Sequence, residues 1–182
     1  MILCLTGFPG SGKSTAARIF SESGFEVIEG SAAIREQMRK KGIRITAKSM
    51  EEFANRMKRE KGKAVFGTMA AEKLKEVPDN RNVLVVGTRS VAEFEAVERA
   101  AGSRISIVVL AAPQEIRFKR LSERQRSPVK SVDTMQMRDQ SNIGMGILEL
   151  FERADFVISN TGTVAELRQS IRELLGKLDK QE

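Results

Sequence analysis

The chain has 182 residues, a net charge of +7, one cysteine and no histidine, tryptophan or tyrosine. Its length suits one domain with a substantial core, and no apolar run reaches the ~18 residues that would suggest a membrane span. The lack of histidine excludes imidazole acid–base catalysis and His-based metal sites. The single Cys4 excludes an intramolecular disulfide, and together with the lack of a membrane span it predicts a cytoplasmic protein.

The first predicted elements frame a glycine-rich loop at residues 7–14, with the sequence GFPGSGKS. The loop matches the phosphate-binding pattern G-x-x-x-x-G-K-S/T, and it stands between a strand pattern at 2–6 and a helical pattern at 13–23. The glycines allow the backbone to approach a ligand closely, and the N–H groups of the loop form an anion site. Lys13 can reach the β- and γ-phosphates, and Ser14 is placed to bind Mg²⁺. The loop therefore predicts a site for ATP and Mg²⁺, with nucleotide-binding residues Gly7, Gly10, Ser11, Gly12, Lys13, Ser14 and Thr15.

Strand and helix patterns alternate along the rest of the chain. The strand patterns cover residues 25–28, 82–86, 104–110 and 155–159, and the helical patterns cover 32–41, 49–61, 64–76, 91–101, 113–124, 134–153 and 163–178. Such alternation predicts an α/β fold of the P-loop NTPase type, in which a five-stranded parallel sheet lies between two helical layers. The segment 31–79 holds three helices, too many for one crossover, and is interpreted as a helical acceptor-binding insert.

Positive charge is concentrated in two segments of the chain. Residues 35–63 hold eleven Lys and Arg against four Glu, and residues 113–138 hold seven against three acids. Local charge of one sign attracts ligands of the other sign, so both segments are expected to face anions.

The order of these features resembles the nucleoside monophosphate kinases, among which adenylate kinase and dephospho-coenzyme A kinase are the most similar types. The chain is similar in particular to archaeal proteins described as dephospho-CoA kinase-related or adenylate-kinase-like. The resemblance covers nearly the whole chain and rests on residues 7–15, 29–36, 87–90, 117–126, 154–158 and 160–162.

The resemblance implies roles for particular side chains. Arg35 and Arg89 would hold the phosphate of the acceptor, and Arg138 would be a further phosphate-facing arginine. Residues 113–130 would form an Arg-rich lid over the ATP phosphates, with Arg117, Arg120 and Arg124 as its catalytic arginines beside Arg126. Asn160 and Gly162 would contact the adenine ring largely through their backbone.

Two positions depart from the pattern of the resembled kinases. Val86 and Ser31 stand where those kinases often carry acids near Mg²⁺ or the attacking oxygen. Mg²⁺ would then rest on Ser14, the phosphates and water, with Glu29 or Asp139 as candidate substitutes.

The favoured function is phosphoryl transfer from Mg-ATP to a small phosphorylated acceptor such as AMP. A weak ATPase or nucleotide-binding regulatory protein is one alternative, which the missing acids favour. A dephospho-CoA kinase-like or nucleic-acid-associated NTP-binding protein is another, although the scarcity of aromatic residues speaks against a nucleic-acid groove. No membrane partner is expected.

Overall fold

The computed structural model describes residues 1–123 and 131–180. Within these ranges the strands are β1 (Ile2–Thr6), β2 (Glu26–Glu29), β3 (Val83–Val86), β4 (Ser106–Ala111) and β5 (Phe156–Ser159). The helices are α1 (Lys13–Glu22), α2 (Gly30–Lys40), α3 (Ala47–Lys61), α4 (Val65–Leu74), α5 (Val91–Ala101), α6 (Gln114–Ser122), α7 (Val132–Gly144), α8 (Ile147–Glu152) and α9 (Val164–Leu178). No helix in the described ranges is both long enough and apolar enough to cross a membrane.

The five strands form one parallel sheet in the order β2-β3-β1-β4-β5. The predicted fold class is confirmed: the sheet is parallel throughout and its helices lie on both faces. The central strand β1 pairs with β3 on one side and with β4 on the other. The connection that follows β1 runs toward β2 at one edge of the sheet, and the connection that follows β3 runs to β4 on the other side of β1. The loop after β1 therefore opens into the crevice where ligands bind in such sheets.

Alternate side chains of the strands enter two separate cores. Leu3 and Leu5 of β1 pack with α1 and α9, whereas Cys4 packs with α4, α5 and α8 on the opposite face. Both faces of β1 are therefore buried, which explains why its sequence is a continuous apolar run rather than an alternating one.

One long helix predicted over residues 134–153 is instead two helices, α7 and α8. The break lies at Gly146, whose φ of +96° belongs to the left-handed region that glycine adopts without a Cβ penalty. The helical prediction at this place was wrong, because the apolar spacing continues across the break while the backbone turns.

The segment between β2 and β3 contributes α2, α3 and α4. A small core joins these three helices and is formed by Ile34, Met38, Phe53, Met57, Val65 and Phe66. Helix α4 also packs closely against α5, because Gly67 has no side chain and brings its backbone against that of Glu93. This contact fixes the segment to the core beside the carboxyl ends of the strands.

Candidate active site

The loop after β1 has the backbone of an anion cradle, and neighbouring elements enforce it. Gly10 and Gly12 have φ values of +83° and +103°. A Cβ on Gly10 would lie 2.8 Å from the carbonyl oxygen of Arg117, and one on Gly12 would meet the amide nitrogen of Asn160. Glycine is required at both positions, since any other residue would be strained and would collide with the supporting elements.

Lys13 begins α1 at the mouth of this loop. Its Nζ donates hydrogen bonds to the carbonyl oxygens of Gly7 at 2.6 Å and Phe8 at 3.0 Å. Ser14 follows and is exposed, while Ser11 is buried with an Oγ that has no hydrogen-bond partner in the described ranges. The N-terminus of α1, the lysine and the glycine cradle suit a polyphosphate.

Glu29 ends β2 on the other side of the crevice and lines a cavity of about 180 Å³ with Lys13 and Ser14. One of its oxygens, Oε2, accepts hydrogen bonds from Ser31 Oγ at 3.3 Å and from Arg35 Nη2 at 3.2 Å. Among the described residues no three His, Cys, Asp or Glu side chains converge to hold a metal ion. The donor set fits a Mg²⁺ shared with phosphate oxygens and water, rather than one held by protein alone.

Asn160, directly after β5, supports the loop from beneath. Its buried side-chain amide donates to the carbonyl oxygen of Ser11 at 2.7 Å, and its backbone N–H donates to Ala111 at 2.8 Å. The structure thus gives the Asn160 side chain a contact with the phosphate loop that the sequence did not predict.

Gly162 and Arg120 line a groove beside the loop together with Thr15 and Asn160. Arg120 Nη2 donates to the carbonyl oxygen of Gly162 over 3.4 Å, and Arg120 Nη1 is buried without a hydrogen-bond partner in the described ranges. A Cβ on Gly162 would lie 2.9 Å from Cδ of Glu166, the side chain that closes the N-terminus of α9.

Arg117 is placed differently from Arg120, although both lie on α6. Arg117 is 5% exposed and makes two hydrogen bonds to Asp139, at 3.0 and 2.8 Å. It also donates to the carbonyl oxygens of Pro9 and Ala112, and its guanidinium lies 5.1 Å from the ring centre of Phe8. The side chain therefore joins α6 and α7 to the phosphate loop, a pairing that was not predicted from the sequence.

Arg117 and Arg120, which the resemblance assigns to one lid, have different surroundings in the structure. Arg124 and Arg126 lie outside the described residues, as does the rest of the predicted lid after residue 123.

Arg89 and Arg138 line a second cavity, of about 250 Å³, which adjoins the first. The two cavities share Ser31, Ile34, Phe66 and Arg89. Burial lowers the pKa of Arg89, the charge of Glu93 opposes that shift, and the nearby charge of Arg138 adds to it. Neither guanidinium forms an ion pair with another described residue.

Arg35, the other predicted acceptor ligand, binds Glu29 instead of standing unpaired. Of the two carboxylates considered as substitutes for missing acids, Asp139 is bound by Arg117, and Glu29 faces the same cavity as Lys13.

Glu93 is a site residue that sequence reasoning missed. It is 2% exposed, its Oε2 accepts the backbone N–H of Arg89 at 2.8 Å, and its Oε1 lies 3.4 Å from Lys58 Nζ. Its own N–H donates to Ser90 Oγ at 3.2 Å, which caps α5. The S-x-x-E spacing of Ser90 and Glu93 is a capping signature and was the available signal.

The fold and this loop define a P-loop NTPase domain with a kinase-like architecture, a class that binds nucleotides. The chain belongs to the AAA domain family, whose model matches residues 3–140, and to the UPF0200 proteins. It is 36% identical to the UPF0200 protein of Aeropyrum pernix, and the match covers 94% of this chain and 90% of that one. It is 32% identical to the UPF0200 protein of Pyrococcus horikoshii, covering 98% of this chain and 97% of the relative. The UPF0200/UPF0201 protein of Archaeoglobus fulgidus is also 32% identical over 98% of this chain, which spans only 56% of that relative.

Solved structures of similar shape include a Thermus thermophilus protein, TT1252, with a TM-score of 0.67 and 21% identity over 98% of this chain and 97% of that one. The shikimate kinase of Acinetobacter baumannii, in complex with shikimate, has a TM-score of 0.63 and 21% identity over 97% and 93%. At such identities the likeness shows the fold alone, which is that of the P-loop kinases.

Proposed function

We propose that the protein is a phosphotransferase that moves the γ-phosphoryl group of Mg-ATP to a small anionic acceptor, with AMP as the first candidate. The supporting observation is the pair of adjoining cavities: Lys13 and Ser14 line the smaller one, and Arg89 lines both, so that the loop and Arg89 border one shared space. A donor phosphate on the loop and an acceptor anion on Arg89 would then meet within that space.

On the donor side, Lys13 is expected to leave the carbonyl oxygens of its own loop and bind the β- and γ-phosphates. Ser14 would hold Mg²⁺, which would supply positive charge to the phosphate oxygens. The groove at Gly162 suits the nucleoside, and Arg120 lies where a guanidinium can contact either a base or a phosphate.

On the acceptor side, Arg89 and Arg138 would bind the anion by charge-assisted hydrogen bonds. Glu29, oriented by Arg35 and Ser31, is suited to hold water of the Mg²⁺ shell or to accept a proton from a hydroxyl acceptor. Arg117 is better suited to positioning the loop than to meeting phosphate, because Asp139 and the Pro9 carbonyl already bind it. Arg124 remains a predicted lid arginine.

The test begins with nucleotide binding, measured as thermal stabilisation. Mg-ATP should raise the melting temperature of the wild type, because a ligand that binds only the folded state stabilises it. Lys13→Ala should lose most of that shift and keep the fold. An absent shift at saturating Mg-ATP would contradict the proposal at its centre.

The second step screens acceptors for ATP-dependent phosphorylation, with AMP, CMP, UMP, GMP, dephospho-CoA and shikimate each supplied beside ATP. Arg89→Met should weaken the productive acceptor by about 1.5–3 kcal/mol, the range for a hydrogen bond to a charged group, and leave ATP binding unchanged. Arg172→Met, an exposed arginine on α9, is the matched control and should behave as the wild type.

A second candidate function is a weak ATPase that regulates through nucleotide binding. Neutral residues at Val86 and Ser31, and the engagement of Asp139 by Arg117, favour it. Slow ATP hydrolysis with no phosphorylation of any acceptor in the screen would support this function over the kinase.

A further inference from the structure

The cavity around Arg89 and Arg138 is also lined by a third cationic side chain, Lys58 of α3. Neither the phosphate-loop motif nor the proposed function assigns a role to Lys58. The Lys58 side chain is 17% exposed. Its Nζ donates to Met145 Sδ at 2.8 Å and lies 5.6 Å from the ring centre of Phe66. A lysine this enclosed contrasts with the neighbouring Lys61 of the same helix, which is exposed.

Glu93 fixes where the Lys58 ammonium lies. Its Oε1 is buried, lacks a hydrogen bond in the described ranges and faces Lys58 Nζ across 3.4 Å. Its other oxygen holds the backbone N–H of Arg89, and its own backbone is pressed against Gly67. One buried carboxylate thus contacts both the Lys58 ammonium and the backbone of Arg89, which come from different parts of the chain.

The charges in this enclosure leave a net positive balance. Arg89, Arg138 and Lys58 carry three positive charges and the buried Glu93 carries one negative charge, which gives +2. The solvent-exposed Glu51 also lines the cavity and lowers the balance to +1 when it is counted. The other lining residues are mixed: Ile34, Met50, Phe66 and Met145 are apolar, and Ser31, Asn55, Ser141 and Asn142 are polar. Like charges repel strongly in such surroundings, and an anion of matching charge relieves the repulsion.

We propose that Lys58, oriented by Glu93, determines acceptor specificity by selecting a dianionic phosphomonoester over a monoanionic carboxylate. The inference rests on the proposed function, because it concerns the acceptor side of the same site. A phosphomonoester carries a charge of about −1.5 to −2 at pH 7, and a carboxylate carries only one negative charge. Arg89 and Arg138 alone would suit a carboxylate, and the added charge of Lys58 makes the site suit a phosphate.

The direct test titrates inorganic phosphate and acetate into ¹⁵N-labelled protein at constant ionic strength, with Mg-ADP saturating the phosphate loop. In the wild type, phosphate should bind at least about 10-fold more tightly than acetate. Lys58→Met should weaken phosphate by about 10-fold or more, the loss of a charge-assisted bond, and change acetate by less than about 3-fold. Lys58→Arg should restore phosphate binding, and Lys61→Met is the matched control that should have no effect.

The orienting role of Glu93 has its own readout. Glu93→Gln keeps an acceptor for the Arg89 N–H but removes the charge that raises the pKa of Lys58 against the effect of burial. The pKa of Lys58, followed by the ¹³Cε resonance, should therefore fall in this variant. An unchanged pKa would show that Glu93 does not hold the ammonium.

Two results would overturn the assignment of Lys58: equal binding of phosphate and acetate by the wild type, or undiminished phosphate binding by folded Lys58→Met protein. Failure of the kinase proposal is recognised separately, since it is an absence of ATP-dependent transfer, whereas this titration needs no turnover.

Discussion

Removing Asp139 should destabilise the fold strongly, because it would leave Arg117 buried without its carboxylate. The two side chains are 7% and 14% exposed, so the pair belongs with buried ion pairs, not with surface pairs worth about 0–1 kcal/mol. Breaking a buried pair costs about 3–5 kcal/mol. Arg117 would keep its bonds to Pro9 and Ala112, so we expect Asp139→Ala to lie near the lower limit, about 3 kcal/mol.

For a chain of this size, such a loss corresponds to a fall in melting temperature of about 6–12 °C. Urea unfolding followed by circular dichroism measures the free energy, and a thermal melt measures the temperature. Arg120→Ala, one turn along the same helix and only half-buried, is the control and should change stability by less than about 1 kcal/mol. The double variant Arg117→Met/Asp139→Leu should lose less than the sum of the single losses, because neither partner is left unpaired.

The contrary result is equally specific. If Asp139→Ala costs less than about 1 kcal/mol, the pair is not a buried support of the loop. If Arg117→Ala in addition lowers kcat at unchanged stability, Arg117 faces the transferring phosphate, as the resemblance to nucleoside monophosphate kinases implies.

Three further outcomes follow from the packing. Asn160→Leu should weaken Mg-ATP by about 10-fold while Kd for the acceptor is unchanged, since it removes a buried support of the phosphate loop; calorimetry measures both. Gly67→Ala should destabilise the protein by about 1–3 kcal/mol because its Cβ would meet the backbone of Glu93. Gly176→Ala, with open space around it in α9, should stabilise the protein by up to about 1 kcal/mol. Urea unfolding measures both changes, and changes of the same sign in the two variants would contradict the packing. Burial raises the pKa of the Cys4 thiol from 9.0 to about 12, so at pH 8 a thiol reagent should react with unfolded but hardly with native protein, and equal rates would contradict the burial.

The fold was predictable because its strongest signals are local. A strand that is buried on both faces has a short apolar run as its sequence. The phosphate-loop motif in addition identifies β1, which precedes it, and α1, which follows it. The break between α7 and α8 was not predicted, although Gly144 and Gly146 lie there. A glycine inside a helical pattern costs only about 1 kcal/mol, so the continuing apolar spacing outweighed it.

The site was predictable only in part, because distant partners decide what a charged side chain faces. Arg117 and Arg120 have the spacing of a common helix face, yet Asp139, 22 residues further along, pairs with Arg117 alone. Similarly, Arg35 and Arg89 look equivalent in sequence, but Glu29 binds the former. Lys58 carried no signal beyond its place in a basic helix.

The missing acids and the positive acceptor cavity are connected. An acid at Val86 or Ser31 would offer a base for an acceptor hydroxyl, and it would also cancel part of the positive balance around Arg89 and Lys58. A phosphomonoester oxygen is already ionised at pH 7, so transfer to it requires positioning and charge neutralisation more than proton removal. A cavity in which cations outnumber carboxylates is therefore better matched to a phosphate acceptor than to an alcohol. On this reasoning Val86→Asp should weaken binding of inorganic phosphate to the acceptor cavity, and tighter binding in that variant would refute the electrostatic argument.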